Sequence, residues 1–234
     1  MDTLPVELLT MIATDSFKLF TTLLRVNTIG QRLCECYPQL VAREKFITAN
    51  DDKTKTYLNG KLHSLDDQPA IIHATGTKYW YWNGKLHREN DLPAIEHANG
   101  DKYWYWNGKV HRENDQPAIE YATGDKDWFW NGQHHRENDQ PAIICADGTK
   151  YWFWNGDRHR ENDRPAVEHV CGDKYWYCND KLHRENDQPA FIYINGNKFW
   201  YWNGKKHREN DLPADIYTDG TKKWYKNGIR YFIE

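Results

Sequence analysis

Tryptophan is missing from the first 79 residues, and all twelve copies lie between Trp80 and Trp224. That imbalance divides the chain near Asn50 to Lys53, where Leu-rich text gives way to aromatic-rich text. No apolar run approaches the roughly 20 residues a membrane helix requires. The start of the sequence also lacks the basic stretch and apolar core of a secretory leader. There is no basic stripe: 31 Lys and Arg stand against 34 Asp and Glu. A phosphate-neutralising surface, and with it nucleic-acid binding, is therefore not expected. The five cysteines follow no repeat position. Cys34-Glu35-Cys36 has no second pair to complete a zinc site, so the thiols read as free, in a reducing compartment. Together these features predict a cytoplasmic protein without a transmembrane segment.

What is abundant is repetition. From His87 to His207 the text H-R-E-N-D-x-P-A returns every 24 residues, and a wider unit places its His at His63, His87, His111, His135, His159, His183 and His207. A constant period of this size signals an array of one stacked supersecondary unit. In Asp101 to Gly124, Lys102-Tyr103-Trp104-Tyr105-Trp106 is a run of β-formers. Asn107-Gly108 supplies the positive φ angles of a type I′ turn, so Lys109 to Arg112 should return antiparallel. Glu113 to Gln116 is a polar loop. Pro117 then opens a second short strand, closed by Thr123-Gly124. If both turns are two-residue loops, Ile95 and His111 lie beside Trp104, while Val110, Arg112, Ala94 and Glu96 share the Tyr face. Aromatics on both faces predict a single-layer, twisted antiparallel meander.

The repeated polar residues invite chemical readings, and spacing argues against them. Equivalent His two or more strands apart sit about 10 Å or more from one another, too far to share one zinc ion. Each is expected to stack on Trp and bond to a turn backbone. Near-identical H-R-E-N-D copies on a solvated edge lack the unique environment that tunes a catalytic pair; Arg–Glu pairs along that edge are expected instead. Phosphate-cradling Gly loops and H-E-x-x-H are absent. The chain is therefore expected to be no enzyme, with no cofactor and no metal. The repeat face offers Trp104, Trp128 and Trp152 with Arg112, Arg136 and Arg160 as partner-binding candidates, on the expectation that they are exposed.

Asn99-Gly100, Tyr103, Asn107-Gly108 and His111 resemble the MORN repeat. Departures are Trp104 at the family's small Gly, Arg112 in place of the Gly after the His, and a period one residue longer. The resemblance implies an elongated single-layer sheet over residues 51–234, as seven repeats and a partial terminal copy, acting as a protein or membrane scaffold. The apolar terminal strand, with Tyr231 where an eighth His would fall, offers a route to self-association.

Residues 1–50 read as three or four short helices, with Leu4-Pro5-Val6-Glu7-Leu8-Leu9 opening the first. L-P-x-E-L-L-x-x-I, followed by a second apolar helix and L-x-x-V-N, resembles an F-box, although no Trp follows Val26. That resemblance implies that Leu4, Pro5, Leu8, Leu9, Ile12, Leu24 and Val26 contact a Skp-type adaptor of a cullin ubiquitin ligase. F-box plus MORN-like repeats resembles a protein class of giant DNA viruses of amoebae, the marseillevirus group, which implies a host-cytoplasmic location or a place in the virion. The resulting expectation is a non-enzymatic adaptor: the helical segment recruits the ligase and the sheet binds an unidentified target protein. The alternatives are a structural scaffold or virion component whose helices cap the sheet, and a glycan-binding module.

Overall fold

The structure, a computed structural model, describes residues 45–50, 53–58 and 60–232, and among these it is entirely β and turn. The helical expectation for the N-terminal segment falls on residues outside this set, except at its end. Lys45–Asn50 is a strand paired antiparallel with Lys53–Leu58, so the sheet begins before the boundary read from composition.

Each internal unit contributes two strands to one long antiparallel meander and two to a separate hairpin. In the unit beginning at Asp101, Lys102–Tyr103 pairs with Ile95–Glu96 on one side and Ile119–Glu120 on the other. Ile119–Glu120 then pairs with Lys126–Asp127 of the next unit. Tyr105–Trp106 leaves this sheet and pairs with Lys109–Val110. Trp104 is the joint between them. Its N–H donates to the Ala118 carbonyl in the meander, and its own carbonyl accepts from the His111 N–H in the hairpin. Successive hairpins are also tied together, as the Gly108 N–H donates to Leu86 O and the Gly132 N–H to Val110 O.

The hairpin turn follows expectation: Asn107 and Gly108 have φ of 49° and 85°, both positive as type I′ demands. The other turn does not. His97 N–H bonds to Asp101 O, and Gly100 N–H to His97 O, enclosing the three residues Ala98, Asn99 and Gly100. Gly100 sits at φ 100°, as a three-residue hairpin ending in a left-handed glycine requires. The extra residue slips the register by one. Ile95 lies opposite Tyr103, which leaves Ala94, and not Ile95, level with Trp104. A one-residue slip reverses every side chain, so Ala94 and Glu96 move to the Trp face and Ile95 to the Tyr face.

Three ladders result. On the Trp face, register alternates Trp and Ala as Ala94, Trp104, Ala118 and Trp128. The seven alanines from Ala70 to Ala214 are fully buried, a small side chain beside each large one. Outward along that face Lys78, Glu96, Lys102, Glu120 and Lys126 alternate in charge across strands, a favourable arrangement for directly opposed residues. The Tyr face carries Ile95, Tyr103 and Ile119, with Ile95 and Ile119 buried.

A Cβ at position 100 would meet the Ala122 Cβ at 3.3 Å on a backbone that L-residues rarely adopt. Gly100→Ala is expected to cost about 1 kcal/mol or more. The readout is a lower urea midpoint with an unchanged denaturant slope.

Candidate functional site

The H-R-E-N-D loop is shaped by two consecutive left-handed residues. Asn114 and Asp115 have φ of 59° and 55°, and the pair recurs through Asn210 and Asp211. Asn and Asp tolerate this region better than other side chains, which accounts for their fixed place in the repeat. The bend turns the Asp carboxylate and carbonyl toward the following unit.

There they meet an Arg and a Trp. Arg112 donates from Nε to Asp91 Oδ1 at 2.7 Å and from Nη2 to Asp91 Oδ2 at 2.9 Å, a two-pronged pair reaching into the preceding unit. Its Nη1 donates to Pro117 O and to Glu120 Oε1. The guanidinium lies over the Trp104 ring, with Cζ 3.8 Å from the centroid. The Trp104 indole N–H donates to the Asp91 carbonyl at 3.0 Å. Arg88, Arg136, Arg160, Arg184 and Arg208 stack on Trp80, Trp128, Trp152, Trp176 and Trp200 in the same way. Their carboxylate partners are Asp67, Asp115, Asp139, Asp163 and Asp187.

This arrangement corrects the expectation of exposed Arg and Trp. Trp104, Trp128 and Trp152 are buried. Arg112, Arg136 and Arg160 expose only 11–13% of their side chains. All six residues are engaged within the array, and each Arg pairs with Asp of the preceding unit instead of its neighbouring Glu. Periodicity reveals none of this, because the partners lie 21 residues apart and meet only once units stack.

Histidine joins units in the opposite direction. His87 Nδ1 accepts the backbone N–H of Asn107, and its ring packs on Trp106 at 4.4 Å between centroids. The expected stacking on Trp and bonding to a turn backbone therefore hold, but the partners belong to the next unit. Nδ1 must be bare to accept this bond. Burial pushes His63, His87 and His111 below the ordinary imidazole pKa.

What remains at the surface is the second Trp of each unit. Trp82, Trp106, Trp130, Trp154 and Trp202 are 47–53% exposed. Cys178 interrupts the row. His159, which would pack on a Trp at that position, has a buried Nδ1 without a hydrogen-bond partner. Asp180, replacing the turn Gly at φ 63°, binds Arg158 of the preceding hairpin. A cavity of about 140 Å³ adjoins this break, lined by Trp152, Trp154, His159 and Arg160. Other departures come as local pairs. Asp127 lies 3.4 Å from His134, whose ring packs between Phe129 and Phe153. Asp215, fully buried, accepts from Lys206 Nζ at 2.7 Å. Of the expected adaptor contacts, Leu4, Pro5, Leu8, Leu9, Ile12, Leu24 and Val26 lie outside the described residues.

The described residues thus define a β-repeat protein whose units are joined by Arg–Trp–Asp clamps, with a broken row of half-exposed Trp at its surface. No protein-family model matches the chain, and no curated protein is similar to it.

Arg136→Ala uncovers the Trp128 ring as well as removing an ion pair. It is expected to cost about 2 kcal/mol in urea unfolding. Arg136→Lys should recover little of this, because an ammonium cannot span both carboxylate oxygens. In a double-mutant cycle with Asp115→Asn, the half-exposed carboxylate limits the coupling to about 1 kcal/mol.

Arg hydrogen bonds hold Asp67, Asp91, Asp115, Asp139, Asp163 and Asp187 below the usual carboxylate range. The unfolded chain consequently takes up protons first. Stability should fall as pH drops past about 6.5, where unfolded His protonates, and again below about 4, where unfolded Asp does. Urea midpoints measured across this pH range should show both losses, and Asp115→Asn should flatten the lower one.

Proposed function

We propose that this protein is a non-enzymatic adaptor: its F-box-like N-terminal segment engages a Skp-type adaptor, and its repeat sheet holds a target protein. The observation that carries the second half is the row Trp82, Trp106, Trp130 and Trp154, half-exposed at one indole per unit. Large aromatics at a surface are the side chains most often found at the centre of protein interfaces. Their neighbours in each unit, the buried Trp, the Arg and the Asp, are engaged in holding units together. The row can therefore be buried by a partner without disturbing the framework. The first half rests on L-P-x-E-L-L-x-x-I in residues 4–12 and on the resemblance that it carries.

The two halves separate experimentally. Calorimetry with a purified Skp-type adaptor should give a stoichiometric complex with the intact chain and none with Leu4→Asp/Leu8→Asp. Absence of a complex with the intact chain would sink the ligase reading and leave the Trp row to be tested alone. Trp106→Ala/Trp130→Ala removes rings that pack on His87 and His111, so a modest fall in the unfolding midpoint is expected with the chain still folded at the temperature of the binding assay. The same pair should weaken any captured target by about 2 kcal/mol, the loss expected of an interface centre.

A further inference from the structure

The clamp is directional, with the Arg of one unit gripping the Asp of the unit before it. Six such grips are filled in an array that presents a seventh Asp and a seventh Trp. Asn210 and Asp211 have φ of 60° and 51°, matching the loop conformation of the internal units. The Trp224 indole N–H donates to the Asp211 carbonyl at 3.0 Å, the same bond that Trp104 makes to Asp91. The place eight residues beyond the Trp, Arg112 in the internal unit, is taken here by Phe232, which is 76% exposed. Among the described residues no cation covers Trp224, and Arg230 lies over Phe232 instead. Trp224 is accordingly more exposed than the six capped tryptophans, and Asp211 is exposed. The Asp211 carboxylate has one described contact, a long hydrogen bond from the Tyr231 hydroxyl to Oδ1 at 3.4 Å.

We propose that Trp224 and Asp211 form a receptor for an arginine side chain of a partner protein. Six internal copies define the ligand chemistry. In each, a planar cation lies 3.7–3.9 Å over the indole centroid. Two N–H groups of each guanidinium meet the two carboxylate oxygens, as Arg112 meets Asp91. Lysine cannot do both at once, since its ammonium is a point donor without a flat face. A second copy of this chain docked head to tail does not supply the group either. The place facing Asp211 belongs to the unit that already holds Trp224, so the first unit of a following copy in register would come after it and could not fill that place. The occupant we propose is an arginine on a different polypeptide, presented at the end of the sheet. This inference is independent of the adaptor reading and needs neither the N-terminal segment nor the exposed Trp row.

The test uses the full chain and a fluorescein-labelled acetyl-Gly-Arg-Glu-Gly-amide peptide, followed by anisotropy. Saturable binding is expected. Replacing the peptide's arginine by citrulline, which keeps the shape and removes the charge, should weaken binding roughly tenfold or more, as should Asp211→Asn in the protein. Phe232→Arg places a guanidinium in the open clamp from within. It should abolish peptide binding and raise the thermal midpoint of the chain. Equal binding of the arginine and citrulline peptides, or no binding of either, would overturn the proposal. Undiminished binding to Phe232→Arg would overturn it as well, and that variant decides the matter even if Asp211→Asn alone disturbs folding.

Discussion

A guanidinium held between an indole face and a carboxylate of the neighbouring unit is the interaction on which the other features depend. A two-stranded contribution to a sheet and a two-residue hairpin bury little by themselves, and a single unit could not fold. Stacking units lets the Arg cover the Trp and lets the Trp N–H satisfy the preceding loop's carbonyl. The same contact seats the Asp in a left-handed bend that would otherwise be unfavourable. The Ala beside each Trp follows from this. A larger residue at Ala118 would meet Trp104 on one strand and Trp128 on the other, since register places it between them. Arg, Trp, Asp and Ala therefore form one joint spread over two units, which is why they recur together with no insertion between them.

The joint is reinforced by a second of opposite direction. Arg reaches back by 21 residues and His reaches forward by 20, so each unit grips both neighbours with different chemistry. The His contact depends on a bare ring nitrogen, while the Arg contact depends on an ionised carboxylate. Both conditions hold near neutral pH and fail in succession on acidification. Where one element of the forward contact is replaced, others change with it. Cys178 replaces the Trp and Asp180 the Gly. His159 is left with an unpartnered nitrogen, and Arg158 takes the new carboxylate. The sheet and the Arg184 clamp persist through that unit.

How far the sequence could be read depended on the range of each interaction. Asn107-Gly108 announces its turn because both residues carry the required dihedrals locally, and the hairpin pairing followed from it. The Asn99-Gly100 turn carries the same two letters but encloses three residues, and nothing within it separates the two outcomes. The difference decides which face Ala94 and Ile95 occupy. In hindsight the pattern of sizes was the available signal: an unvarying Ala beside an unvarying Trp fits one face, and Ile beside Tyr the other. H-R-E-N-D could be recognised as a loop but not as a clamp, since its partners are a full unit away. The two tryptophans of each Y-W-Y-W run look alike in sequence, yet one is interior and the other forms the surface row. Strand alternation puts them on one face; the partner switch at Trp104 separates their fates.

A directional joint also makes the two ends of the array unlike. An array built from a symmetric contact would end in identical half-contacts, and copies could add to either. Here the leading end lacks the donor, because Ser64 stands in place of Arg, while the trailing end keeps the acceptor, Asp211 with Trp224. A following copy in register would begin after the Trp224 strand and could not reach the place that Phe232 holds, so the indole stays uncovered and the carboxylate without its two-pronged partner. The open acceptor follows from Phe232 in place of Arg, and it leaves the ligand-ready chemistry of the clamp where the repeat pattern changes.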